Sequence, residues 1–179
     1  MQGIIKVILN IFSRKFLIKI SLILKPFFEL IFKGDRFVDP INNKSYSYFF
    51  PYGYNKLRKN ALSPGTLSLE RHRLLWIFLE KETDFFNTEN KILHIAPEQC
   101  FYKSFKKNFE SYTTCDLNSP IAEIKADVCN LPFDENEFDF VLCNHVLEHV
   151  YDDEKAMKEI YRVLKLSLIH ISEPTRLAW

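Results

Sequence analysis

Asn144 and His145 end a short apolar run, Phe138 to Cys143 (FDFVLC), with two side chains that need hydrogen-bond partners, and Glu148 and His149 follow close behind. An imidazole changes charge near neutral pH, so His145 and His149 are candidate general bases for an acceptor that must lose a proton. The competing role for each is a structural hydrogen bond at the end of a strand. Three carboxylates complete the set: Glu98, Asp116 and Asp127. Asp116 falls eighteen residues past Glu98, close to the ~20-residue spacing at which an acid takes the ribose hydroxyls in βαβ nucleotide folds. A carboxylate can accept from two vicinal hydroxyls at once, whereas the alternative, an Asx turn before Asn118 and Ser119, uses one oxygen.

The elements that must position these groups alternate between strand and helix. Ile92 to Ala96 (ILHIA) reads as a short buried strand, and Pro97 suits the first position of a helix carrying Phe101, Phe105 and Phe109 at i, i+4, i+8. A second strand spans about Tyr112 to Cys115, a third lies in IKADV and ends at Asp127, and FDFVLC is the fourth. A helix starting near Asp152 and Asp153 puts Ala156, Met157, Ile160, Tyr161 and Leu164 on one face, with Arg162 and Lys165 near its C-terminal dipole. The pattern predicts an α/β fold, a Rossmann-like and mostly parallel sheet, with ligands outside the carboxyl ends of the strands.

The block Asp127, Leu131-Pro132-Phe133, Phe138-Asp139 and Leu147-Glu148-His149 resembles the latter half of the cofactor domain of class I S-adenosylmethionine-dependent methyltransferases. The first strand's exit departs from their usual GxGxG loop and resembles a glycine-less variant, HxAPE, in His94, Ala96, Pro97 and Glu98. Ala96 is small enough for close approach of a ligand to the backbone. The resemblance implies S-adenosyl-L-methionine as cofactor, held by His94, Ala96, Pro97 and Glu98, with Glu98 accepting from the methionyl ammonium. Asp116 would take the ribose, Asp127 the adenine amino group with Val128 beside the ring, and Asn144 and His145 the cofactor and acceptor side. Because the sulfonium is already activated, alignment of the acceptor supplies much of the rate. The implied function is methyl transfer to an unidentified acceptor. Its alternative is a non-catalytic, membrane-peripheral binding protein on the same fold; a nicotinamide-dependent oxidoreductase would want the GxGxxG that is absent.

The resemblance spans about Gly34 to Lys165 and leaves segments of different character around the domain at 67–165. Residues 1–33 carry six Lys or Arg and one acid, Glu29, among Ile, Leu and Phe. The charges interrupt every apolar run well before the ~20 residues that span a bilayer, leaving a basic amphipathic helix. It lies on an anionic membrane surface in one reading and packs on the protein in the other. Residues 34–66 are rich in turns and resemble a small zinc-ribbon module in which Asp39, Asn42, Ser63 and Thr66 replace the cysteines; oxygen sets of this kind bind zinc poorly, so simple turns and no metal are expected. Tyr48, Phe50, Tyr52 and Tyr54 beside Lys56, Arg58 and Lys59 suit a self-packed loop better than a nucleic-acid surface. A helix is expected over 67–81, burying Leu67, Leu74, Leu75, Phe78 and Leu79 and capped by Thr66 or Ser68; Arg71 and Arg73 in its first turns call for an acid or an anionic ligand.

Leu166 to Arg176 (LSLIHISEPTR) resembles the translation of a common sequencing adapter, so 166–179 is expected to be non-native and the domain to be a fragment cut after about four strands. The 179 residues carry a net charge of +1, which gives no general argument for nucleic acid. Cys100, Cys115, Cys129 and Cys143 stand fourteen or fifteen residues apart, which excludes a close zinc-binding or redox pair and suggests free thiols in the cytoplasm.

Overall fold

The computed structural model describes residues 23–24, 26–53, 56–165 and 170–171. Two compact units are Met1–Ile77 and Phe78–Trp179. Most of the basic leader, 1–22, and Tyr54 lie outside the described residues, while 26–31 is helical. Among the described residues no helix is long and apolar enough to cross a membrane.

Where turns dominate the sequence of the first unit, the structure builds two antiparallel hairpins: β1 (Lys33–Asp39) with β2 (Lys44–Tyr46), and β3 (Phe50–Tyr52) with β4 (Arg58–Leu62). Aromatic edges pack them, with Phe32 and Phe28 against Phe50 at ring separations of 4.9 and 5.5 Å. The four positions that resemble metal ligands hydrogen-bond to their surroundings instead. Fully buried Asp39 accepts from the Thr66 hydroxyl at 2.5 Å, the Ser68 hydroxyl at 3.4 Å and the Ile41 N–H at 3.0 Å. Ser63 Oγ accepts from the N–H of Gly65, and the Asn42 amide donates to the Tyr46 hydroxyl at 2.8 Å. The turns sit so close that a Cβ on Gly65 would fall 1.8 Å from the Tyr46 hydroxyl, so only glycine fits.

Helix α1 (Glu70–Glu82) starts three residues later than the sequence suggests, because Leu67 takes a left-handed φ of +61° and the Thr66 and Ser68 hydroxyls serve Asp39 instead of capping. The buried set is therefore His72, Leu75, Trp76 and Leu79, at i, i+3, i+4, i+7, while Leu74 and Phe78 are exposed. Arg73 needs no ligand: it donates to the carbonyls of Ser68 and Ala61 and lies 4.7 Å above the Phe49 ring. Glu70 pairs with Arg58 at 3.3 Å.

The second unit is an all-parallel sheet of β5 (Ile92–Ile95), β6 (Tyr112–Asp116), β7 (Ile124–Lys125), β8 (Phe140–Cys143) and β9 (His170–Ile171) in the order β7-β6-β5-β8-β9. Four strands are expected; the fifth is a two-residue strand in the tail, opposite Val141 and Leu142. Every residue of β5 and β8 is buried, which explains the unbroken apolar runs. Alternation divides the two faces. Leu93, Ile95, Cys115, Val141 and Cys143 pack with Ala156, Ile160 and Val163 of α3 (Asp153–Val163). On the other face, His94 and Tyr112 meet Phe101 and Phe105 of α2 (Gln99–Asn108), and Phe140 meets Phe85.

Helix α3 begins where Asp152 caps it, accepting from the Lys155 N–H at 2.9 Å. Its buried face is narrower than the sequence suggests, since Met157 and Tyr161 are exposed. Arg162 explains the Leu-Pro-Phe segment. Its guanidinium donates to the carbonyls of Phe133 and Leu131, while Glu159 accepts from the Leu131 N–H, tying that loop to α3. Lys165 closes the strand entrance through Asp139 at 2.7 Å.

Candidate functional site

The strand order reverses direction at β5 and β8, so the chain leaves the two neighbours toward opposite sides of the sheet and opens a crevice at their carboxyl ends. Both exits are left-handed: Ala96 at φ +52° and His145 at φ +54°. The first stands where the usual loop would carry glycine, and alanine pays a steric penalty there that glycine avoids. The Ala96 N–H continues the parallel ladder onto the Cys115 carbonyl at 2.9 Å. Pro97 is buried but precedes α2 by two residues instead of opening it, because Glu98, extended at φ −83° and ψ 135°, is the N-cap.

The Glu98 side chain makes no capping bond. One carboxylate oxygen lies 2.7 Å from His94 Nε2, and Asn144 Nδ2 donates to the pair at 3.2 and 3.4 Å. His94 Nδ1 lies 2.8 Å from the Tyr112 hydroxyl. Burial, followed by the nearby Glu98 carboxylate, raises the Tyr112 pKa and keeps its phenol protonated. A chain Tyr112–His94–Glu98–Asn144 thus crosses β6, β5, the entrance to α2 and the end of β8. His94 is fully buried with both ring nitrogens engaged, and it is not among the residues that line the pocket. The Glu98 carboxylate is turned to His94 and Asn144, not to the pocket wall.

That wall encloses about 450 Å³ and brings together Ala96, Asp116, Asp127, Val128, His145 and His149. Pro97, Glu98 and Asn144 are not among its lining residues. Asp116, at the end of β6, makes the Asx turn: Oδ1 accepts from the N–H groups of Asn118 and Ser119. Asp127 lies two residues past β7, which is shorter than expected, and its Oδ1 accepts from the Cys129 N–H at 2.9 Å. Buried Val128, Ala126 and Ile95 make the wall between these acids apolar. A largely apolar pocket that also carries two carboxylates suits a ligand with an apolar body and hydrogen-bond donors.

His145, two residues before the 3₁₀ turn Leu147–His149, and His149, its last residue, both line the pocket. Glu148 stands between them, with Oε1 3.5 Å from His145 Nδ1 and 3.4 Å from His149 Nε2. His149 is largely exposed at 77%, against 29% for His145. Sequence reasoning missed Tyr112, because a strand tyrosine gives no signal beyond burial, and missed Cys129, Tyr151 and Asp152 in the pocket wall. A parallel sheet with a nucleoside-sized pocket at its switch point defines a Rossmann-like nucleotide-binding domain.

Residues 89–167 match the family model described as a methyltransferase domain. A 2-phytyl-1,4-naphtoquinone methyltransferase of Nostoc punctiforme is 47% identical over 45 residues, 25% of this chain and 20% of that protein. The chloroplastic 2-phytyl-1,4-beta-naphthoquinone methyltransferase of Arabidopsis thaliana is 52% identical over 42 residues, 24% of this chain and 16% of that one. A demethylmenaquinone methyltransferase of Staphylococcus epidermidis is 41% identical over 56 residues, 29% of this chain and 23% of the relative. These stretches span about a fifth of the length of each curated relative.

Proposed function

We propose that the protein transfers a methyl group from S-adenosyl-L-methionine, and that the pocket at the β5/β8 switch point holds the adenosine of that cofactor. The observation that carries this reading is the pairing of Asp116 and Asp127 across an apolar wall of Ile95, Ala126 and Val128. Asp116 Oδ2 would accept from the ribose and Asp127 from the adenine amino group, while Ala96 lets the ligand approach the backbone of the first loop. The cofactor's sulfonium supplies an already activated methyl group. The chain's own task is to align the acceptor and exclude water.

His145 and His149, the two imidazoles on the pocket wall, are the groups that would take a proton from an acceptor that must lose one. Glu148 between them would orient both rings and stabilise whichever becomes cationic. The quinone acceptors named for the relatives are not assigned to this chain, because the matched stretches are short. Calorimetric titration with S-adenosylhomocysteine tests the reading. One site per chain is expected, and absence of binding by folded protein would return the domain to a non-catalytic role.

A further inference from the structure

The glycine-less loop raises a question of its own: what holds Ala96 at a φ that alanine avoids? A residue in a sparsely populated backbone region persists only where its surroundings over-determine it. Two such residues, Ala96 and His145, flank the crevice, and both line the pocket. Next to them, one residue before His145 and two after Ala96, Asn144 and Glu98 are joined by the hydrogen bonds from Asn144 Nδ2. The bond therefore ties together the two left-handed exits.

The remainder of the chain keeps that tie rigid. Asn144 donates to both oxygens of Glu98, which is the arrangement a carboxylate accepts and a neutral carboxyl group does not favour. The fully buried ring of His94 is satisfied without a charge when the Tyr112 hydroxyl donates to Nδ1 and Nε2–H donates to Glu98. Asn144 is 5% exposed, and its Oδ1 accepts no hydrogen bond among the described residues, so the donor end of the amide is the one held. Every link is a side chain whose partner belongs to a different element.

We propose that Tyr112, His94, Glu98 and Asn144 form a clamp that holds the Ala96 and His145 exits in their left-handed conformations, and that these four are positioning residues which shape the cofactor pocket without lining it. The clamp does for this chain what glycine does in the usual loop. It rests on the proposed cofactor site, but it assigns Glu98 a role through the backbone rather than as a ligand of the methionyl ammonium.

Two ligands and one second-site change test it on the intact protein. S-adenosylhomocysteine carries the amino-acid group and 5′-methylthioadenosine lacks it. Loss of a hydrogen bond to a charged group is worth about 1.5 kcal/mol or more, so Glu98→Ala is expected to weaken both ligands alike, by about tenfold. Ala96→Gly added to Glu98→Ala removes the need for the clamp and should recover most of that loss. If Glu98→Ala does not fold, Asn144→Ala with and without Ala96→Gly gives the same comparison. Weakening of S-adenosylhomocysteine alone would make Glu98 a direct ligand and overturn the clamp. So would an Ala96→Gly double variant no better than the single. A wild-type protein that binds neither ligand would overturn the proposed function itself, an outcome separable from both.

Discussion

If Asp116 serves both the turn and the ribose, as the proposed function has it, two substitutions should separate the uses. Oδ1 accepts from the Asn118 and Ser119 N–H groups and sets the turn after β6. An asparagine keeps an acceptor there and replaces Oδ2 with an amide donor, which cannot serve a ribose hydroxyl that must donate. Losing a charge-assisted hydrogen bond costs about 1.5 to 3 kcal/mol, or one to two decades in Kd. Asp116→Asn is therefore expected to melt close to wild type and to bind S-adenosylhomocysteine about 10- to 100-fold more weakly. Asp116→Ala should lose the same affinity and also about 1 kcal/mol of stability for the turn. Calorimetry and thermal melts on the three proteins decide it: an asparagine variant with wild-type affinity would make Asp116 a turn residue only and refute the ribose assignment.

Three other expectations use different readouts. Burial pushes the Cys115 and Cys143 thiols up to about 12, so native-state alkylation at pH 8 should reach half-buried Cys129 first, and S-adenosylhomocysteine should protect it; equal rates at all three would contradict the packing. Asp139 is pushed up by burial but drawn lower on balance by the Lys165 ammonium and the Lys91 N–H. Its stabilisation is thus complete above the ordinary value of 3.8 and fades as pH falls through the lowered folded value. Asp139→Asn should accordingly lower the melting temperature at pH 7 and match wild type in strong acid, whereas a constant difference at all pH values would count against the ion pair. Asp39→Ala strands the Thr66 and Ser68 hydroxyls and the Ile41 N–H, which should cost about 2 to 4 kcal/mol in a denaturant titration; a neutral result would show that the knot contributes nothing.

What the sequence revealed follows from what each signal physically encodes. The mainly apolar runs at 92–95 and 140–143 are strands buried along their whole length, as short runs of that kind suggest, and Asp116 is the last residue of β6. Helix edges were less legible. Leu67 broke the start of α1 with a left-handed φ that no local residue preference foretells, and the face that became buried shifted by about one position. The motif gives the residue types of His94 and Glu98 but not the directions of their side chains. In the structure their side chains meet each other, since four residues separate them across a strand exit and a helix start. Tyr112 was invisible because its partner lies on a neighbouring strand, eighteen residues away. The convergence of Asp39 with Thr66 depends on two hairpins folding together, which local turn signals do not encode.

The central claim, a cofactor pocket for S-adenosyl-L-methionine between Asp116 and Asp127, is tested most directly by competitive calorimetry of the intact protein with S-adenosylhomocysteine and NADH. The account predicts one S-adenosylhomocysteine site per chain, weakened by Asp116→Asn and untouched by excess NADH. Tighter binding of NADH, or no binding of S-adenosylhomocysteine by folded protein, would contradict it.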